Sequence, residues 1–489
     1  MLNRYKKLVE RTILIIICIL IITGCGSSPK SKHGLEKDNP VAVKIWHYYN
    51  GVQKIEFDKM VDEFNKTAGK DEGIIVEAFN QGSINELTEK IFDTANRKVG
   101  TGDMPNAFTA YADTAYEVDK LGLLSDFSKY LTNDEISEYI DNYIIEGKLS
   151  NKDELKIFPI AKSTEILMVN KTDWNKFQEE TNANIKDFET WEGIASLSKK
   201  YYEWTDSKTE IKNDGKAFFG RDSMANYMII GSKQLGNEIF EVNDKKLKIN
   251  VNEQIMRTLW NNFYIPYING YYGAYGRFRS DDAKTGDIIA LVGSTSGAEY
   301  FPDKVITVDE KSYDIESMVL PLPKFKDGED YMIQQGAGMV ITNSDPKHEY
   351  AVTEFLKWFT DADRNIKFSI KSGYLPVKKE TNNTEIIQNK IKENYDLNIS
   401  TKLQESILIA INQEKSYKFY TTDAFNGAND ARVILENSMI NKAKADRKDI
   451  KVQLDSGISK EKIIEKYNTD ANFEAWLLEL KSNLSKVTE

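Results

Sequence analysis

From residue 41 onward, short β-branched runs alternate with amphipathic stretches, and this alternation narrows the possible folds more than any other feature. Val41-Ala42-Val43-Lys44-Ile45-Trp46 has the β-branched density of a strand. Apolar Ile55, Phe57, Met60, Val61 and Phe64 follow at a spacing of three to four, which predicts a helix over 53–65. A second strand is expected at 74–79, a helix at 86–98 and a third strand at 107–111. This βαβαβ order argues for a mostly parallel sheet with helices on its faces. Further on, strands are expected at 156–160, 165–169, 287–292, 318–321 and 338–341. A helix is expected at 188–202, with Thr190 as its cap, and beyond Tyr350 the pattern is mainly helical. At 489 residues the chain has room for two or three domains. It carries no internal repeat.

The N-terminus has a different character. Arg4, Lys6, Lys7 and Arg11 form a basic head, and Ile13 to Ile22 is apolar except for Cys18. Small residues follow. The apolar run is short for a membrane span, and a charged head, short apolar core and small-residue site make an export signal. Ile22-Thr23-Gly24-Cys25 resembles a bacterial lipobox, which implies lipidation of Cys25 and removal of residues 1–24. Loss of that segment takes the net charge from -11 to -14. Residues 25–40 read as a flexible tether, rich in Ser, Lys, Gly and Pro. The remainder is expected outside the cytoplasm, held at the cell membrane by the lipid alone.

Several chemistries are excluded at this level. So acidic a chain lacks a general attraction for nucleic acid. Its two cysteines both lie in the first 25 residues, so neither a disulfide scaffold nor a Cys-rich metal site is available. The three histidines, His33, His47 and His348, cannot form a helical metal pair. No Walker A loop or dinucleotide-binding glycine fingerprint occurs. Gly293-Ser294-Thr295-Ser296-Gly297 has the outline of a nucleophile elbow, but its centre is Thr295 and only His348 lies downstream. No catalytic residue, metal or cofactor is expected.

What remains are binding features at predicted strand ends, where open α/β sheets hold ligands. Trp46 and His47 follow the first strand, and Asp113 follows the third. Ser163 sits between the two regions. Thr295 and Ser296 offer hydroxyls, and Gly336 allows close backbone approach. Gly373 fits a helix C-terminal cap, with Tyr374 projecting beyond it. Each has a plain structural alternative, such as packing, capping or turn formation. Trp46, Tyr374, Phe425 and the Tyr271–Tyr275 loop, broken by glycines, are the candidate aromatic platforms for a ligand face.

These residues carry a resemblance. The opening KIWHYYNGVQKIEFDKMVDEFN, the segment PIAKSTEILMVNKTDW, the pair LPLPKFKDG and QQGAGMVITN, and FLKWFTDADRNIKFSIKSGYLPV resemble the family 1 extracellular solute-binding proteins of bacterial ABC importers. The likeness spans 41 to about 435. It implies a periplasmic-binding-protein-like α/β fold with two hinge-linked lobes, each a mostly parallel sheet flanked by helices. Lobe one would hold 41–160 and 325–362, and lobe two 163–320 and 365–489. Within that family the sequence resembles the sugar and glycerol-phosphate branch, which implies ligand contacts from Trp46, Asp113, Ser163, Thr295, Ser296, Gly336 and Tyr374. The branch's C-terminal arginine aligns with Phe425 here. Arg221, Arg277 or Arg279 are the candidates to replace it. Without a fixed charge for phosphate, a neutral carbohydrate is favoured over a glycerol phosphate.

The resemblance therefore implies a monomeric, lipid-anchored receptor that captures a small carbohydrate and delivers it to ABC permease subunits, with no enzymatic step and no nucleic-acid partner. A sensor that passes its ligand to a signalling partner, and a glycan-acting enzyme with paired carboxylates, are the alternatives.

Overall fold

The computed structural model describes residues 32–149, 153–243, 246–307, 309, 311–393 and 399–487. Cys25 and the expected export signal lie outside these. The first lobe is built on β1 (Val41–His47), α1 (Gly51–Lys66), β2 (Ile74–Asn80), α2 (Ile84–Ala95), β3 (Ala107–Ala110), α3 (Ala112–Lys120) and α4 (Asp141–Gly147). The second is built on β4 (Glu165–Asn170), α5 (Trp191–Asp206), β5 (Phe219–Arg221), α6 (Met224–Gln234), α7 (Glu253–Ile268), β6 (Ala290–Ser294) and β7 (Ser317–Leu320). The chain then passes through β8 (Tyr331–Ile333), β9 (Gly338–Ile341), α8 (Pro346–Phe359), α9 (Ala362–Ser372), α10 (Thr401–Ser416), β10 (Lys418–Tyr420), α11 (Ala428–Asp455) and α12 (Asp470–Val487).

The first sheet has the order β9-β3-β1-β2, with β1 parallel to both neighbours and β9 antiparallel to β3. Its strands alternate as the two-residue period requires. Val41, Val43 and Ile45 face one core with α1 and α8, while Phe108, Ala110 and Val340 face another with Leu87 and Ile91 of α2. The expected strands and helices over 41–111 are present. Ser83 starts α2 with a reciprocal capping box to Glu86, and Thr190 caps α5 by accepting from the Gly193 N–H.

The second sheet, β7-β4-β6-β5, is mixed: β4 runs antiparallel to both β6 and β7, and only β5 pairs with β6 in parallel. The reason is topological. A strand that enters from the other lobe has no crossover helix to align it with its neighbours. Leu167 and Val169 face an aromatic-rich core under α5, α6 and α7, and Ile166 and Met168 face a smaller one with α10.

Three segments run side by side between the lobes. Ser163 and Gln335 exchange both backbone hydrogen bonds at 2.9 Å, and Lys162 exchanges both with Leu375. Phe325 and Met332 pack in the second core, and Gly338–Ile341 pair with the first sheet. α9 straddles the boundary: Phe368 packs in the first lobe, while Ile366 and Ile370 pack beside α10. Among the described residues no helix is long and apolar enough to cross a membrane.

Candidate functional site

A cavity of about 340 Å³ opens between the lobes. The first lobe contributes helix starts, because β3 and the strand before α2 end at this face. Ile84, Asn85 and Thr88 come from α2, and Tyr111, Asp113 and Thr114 from the turn into α3. The second lobe supplies Asn226 and Ile229 of α6, and Asn429, Arg432 and Glu436 of α11. Gln334 and Gln335 of the crossing segment form the back, and the loop from Thr421 to Phe425 closes one side. A smaller cavity of about 150 Å³ shares Ala112, Glu146, Gln334 and Thr421–Ala424 with the first.

The wall is apolar in part and polar in part. Phe425 is buried against Phe240, ring centroids 5.1 Å apart, and Ile229 lies in the same wall. Asp113 uses one carboxylate oxygen to accept from the Thr114 N–H at 2.6 Å. The Oε1 of Gln335 is buried without a hydrogen-bond partner, an open acceptor in the cavity wall. Burial pushes the Tyr111 phenol up, and it therefore stays a neutral donor. Glu146 is held in a buried pair with Lys162 at 2.6 Å, and the Lys162 Nζ also donates to the Gly336 carbonyl at 2.8 Å. That pair ties the cavity floor to the crossing segments.

Of the nine residues predicted from sequence, Asp113 and Phe425 line this cavity. The other seven lie elsewhere. Trp46 is half-buried, with the Lys90 ammonium 4.6 Å from its ring. His47 is fully buried: its Nδ1 accepts from the Tyr49 N–H, its Nε2 has no partner, and burial lowers its pKa to about 4. Ser163 acts through its backbone in the lobe crossing. Gly336 has φ +93°, and a Cβ there would meet the Ala161 carbonyl at 2.7 Å, so this crossing needs glycine.

Tyr374, Thr295 and Ser296 meet at the hinge. The Tyr374 ring is buried, stacked at 10° on Phe368, and its hydroxyl is 3.1 Å from that of Tyr48. Gly373 adopts the expected left-handed cap, with a Cβ position 2.6 Å from the Thr295 carbonyl. The Thr295 hydroxyl is buried without a partner, and the Ser296 carbonyl accepts from the Gln53 amide across the lobes at 3.1 Å. In the Tyr271–Tyr275 loop, Tyr272 packs on Phe219 and Tyr275 is exposed.

The candidate arginines are also resolved. Arg221 is spent on Glu165, and Arg279 on Asp282, each at 2.5 Å. Arg277 is exposed. The arginine in the cavity is Arg432, which sequence reading passed over. Its signal was the polar stripe Asn429, Arg432, Glu436 at helical spacing, directly after the Phe425–Asn429 turn. Among the described residues no cluster of three His, Cys, Asp or Glu side chains is placed to hold a metal ion.

A family model described as a bacterial extracellular solute-binding protein matches residues 59–393. No curated protein sequence matches the chain. Solved structures resemble it over nearly its whole length. UgpB of Mycobacterium tuberculosis, in complex with glycerophosphocholine, superposes with a TM-score of 0.63 at 15% identity, covering 92% of this chain and 100% of that one. The cyclic α-maltosyl-1,6-maltose binding protein of Arthrobacter globiformis gives 0.62 at 15% identity, covering 92% and 100%. The maltotriose binding protein of Thermus thermophilus, bound with maltotriose, gives 0.59 at 13% identity, covering 91% and 100%. At such identities the likeness is one of fold: two α/β lobes around a cleft.

Proposed function

The chain belongs to the family of bacterial extracellular solute-binding proteins, and from that membership we propose that it captures a carbohydrate in the interlobe cavity and delivers it to an ABC permease. The observation that carries this is the composition of the cavity wall. Aromatic and aliphatic faces (Phe425, Phe240, Ile229) stand beside acceptors (Asp113, Asp423, Gln335) and donors (Arg432, Asn429). A sugar offers apolar C–H faces and hydroxyls that both donate and accept, and such a wall serves both. Several fold neighbours are themselves sugar-binding proteins.

A glycerol-phosphate-type ligand is the second reading, favoured by Arg432. Against it stand Asp113 and Asp423, which would repel a phosphate in the same space. Capture proceeds by lobe closure about the crossing segments, with no chemical step. We assign the lobes as 41–160 with 333–362, and 163–332 with 365–489, with the end of α9 and the segment to Leu375 running along their boundary; the pairing of Ser163 with Gln335 supports the division near 333. The receptor acts as a monomer on the outer face of the cell membrane, held there through a lipid on Cys25.

A thermal-shift screen over mono- and oligosaccharides and glycerol phosphates tests the ligand class, since a bound ligand raises stability by mass action. Stabilisation by a sugar is the expected result. Stabilisation by glycerol phosphate alone selects the second reading, and a flat screen refutes both.

A further inference from the structure

Beneath the cavity lies an ion pair that never touches it. Arg221 and Glu165 meet at 2.5 Å with side chains 1% and 2% exposed. Desolvation offsets most of the attraction in a pair so buried, so stability alone accounts poorly for it. The second oxygen of Glu165 accepts from Asn226 Nδ2 at 2.8 Å, and Asn226 Oδ1 accepts from Arg432 Nη2 at 2.7 Å. Chemistry fixes the amide's orientation: an ionised carboxylate only accepts and a guanidinium only donates, so the Asn226 nitrogen must face Glu165 and its oxygen Arg432. Asn226 is fully buried, and it and Arg432 both line the cavity.

The neighbouring turn of α11 is tied to α6 as well. Glu436 accepts from the Ser223 hydroxyl and from the Met224 and Ala225 N–H groups at 2.9–3.1 Å. Its charge is thereby taken up by the start of a helix. The charge of Glu165 is taken up by Arg221. The hydrogen bond that Arg432 makes goes to a neutral amide, which holds the guanidinium in place without neutralising it.

We propose that Arg432 is a ligand-contact residue, oriented by the Arg221–Glu165–Asn226 relay, and that its remaining N–H groups donate to adjacent hydroxyl oxygens of the carbohydrate. This rests on the carbohydrate reading above. A guanidinium presents five donors in a planar fork, and one is used by Asn226. Asp113 and Asp423 accept hydroxyl hydrogens but cannot satisfy hydroxyl lone pairs. Arg432 is the cationic donor in the wall that can. Asn226, Glu165 and Arg221 are positioning residues.

The test is calorimetry on the processed protein with the best ligand from a panel of sugars and glycerol 3-phosphate. Arg432→Lys keeps the charge but loses the fork, and is expected to weaken sugar binding 10- to 100-fold. Asn226→Leu releases the fork and should weaken it at least fivefold. Single-deoxy analogues of the sugar supply the readout that a merely structural role would not move. For the analogue lacking the contacted hydroxyl, wild type and Arg432→Lys should bind alike. Binding within twofold of wild type by Arg432→Lys, or an equal loss for every analogue, overturns the proposal. If Asn226→Leu does not fold, Arg432→Lys alone decides. If glycerol 3-phosphate is the ligand and Arg432→Lys weakens it tenfold, the arginine assignment stands and the carbohydrate reading falls. No binding by any panel member overturns both.

Discussion

The hydroxyls of Tyr48 and Tyr374 meet at 3.1 Å, although 326 residues separate them in the chain. Tyr48 extends the first strand, and Tyr374 follows the left-handed cap of α9. Tyr374 therefore fastens the third crossing segment to the first sheet. Around the pair, Tyr49 and Phe368 contribute edge and stacked contacts.

Tyr374 is 3% exposed, and this makes its truncation a stability experiment as much as a binding one. Tyr374→Phe should cost about 1 kcal/mol, the net worth of one hydrogen bond. Tyr374→Ala should cost about 3–5 kcal/mol in urea unfolding of the empty protein. A loss below 1 kcal/mol for the alanine variant would show that the ring is free to leave this cluster.

The sequence exposed the frame more fully than the site. The alternation over 41–111 placed three of the first sheet's four strands, because β-branched density and helical spacing there agree with the tertiary structure. The mixed order of the second sheet was not legible, since direction depends on where the chain re-enters from the other lobe. The Thr190 and Gly373 caps were readable because capping is local. Asp113, which lines the cavity, was singled out by its place after a strand. Trp46 and His47 were singled out by the same rule, but a strand end marks a face of the sheet without saying which side chains pack beneath the next helix; Tyr374 was singled out by its place after a helix cap, which does not say that the ring turns into the core. Arg432 was missed because it lies on a helix, where a polar stripe such as Asn429, Arg432, Glu436 ordinarily marks a solvated face. Its place in the cavity wall appears only when α6 brings Asn226 beside it.

Glu414 sits on α10 with its Oε1 accepting from the Tyr143 hydroxyl of the first lobe at 2.5 Å and its Oε2 unpartnered. Burial pushes its pKa up to about 8, from an ordinary 4.5. The folded protein thus holds the proton that the unfolded chain releases, and stability falls as pH rises from about 4.5 to 8. Glu414→Gln imitates the protonated acid. It should flatten this slope and stabilise the protein at pH 8 by about 2–4 kcal/mol. Denaturation midpoints of both proteins at pH 5 and 8 check this; parallel behaviour would mean that the carboxylate is ionised in the fold.

His47 has the opposite sign. Burial lowers its pKa to about 4, from 6.5 unfolded, with Asp58 opposing and Lys54 assisting. The unfolded chain takes up a proton first, so the contribution of neutral His47 is present above about pH 6.5 and lost toward pH 4, up to about 3 kcal/mol. His47→Gln should remove that dependence. A variant whose stability falls from pH 7 to 5 as steeply as wild type would assign the acid sensitivity to other groups.

Cys25→Ala addresses anchoring separately from folding. The basic head, apolar core and Gly24-Cys25 end predict that the wild-type protein partitions with membranes. One acyl chain binds a bilayer weakly and two bind it stably. The variant should appear in the soluble fraction or accumulate at unprocessed size. Unchanged membrane retention with unchanged size would exclude lipidation at this residue.

Asp113→Asn tests the ligand most directly, because the side chain lines the cavity from the first turn of α3 and supports no core packing. One carboxylate oxygen is engaged locally by the Thr114 N–H, leaving the other for a ligand hydroxyl. A hydrogen bond to a charged acceptor contributes about 1.5–3 kcal/mol, so sugar affinity should fall about 10- to 100-fold, while the melting temperature of the empty protein stays within a degree or two. A phosphate-bearing ligand would respond in the other direction, since the substitution removes a like charge from its site. Weaker binding of a sugar and tighter binding of glycerol 3-phosphate by the same variant would place Asp113 in direct contact with the ligand. Equal affinities in both proteins would move the ligand away from α3 and toward the hinge, where Tyr48, Tyr374 and Ser296 converge.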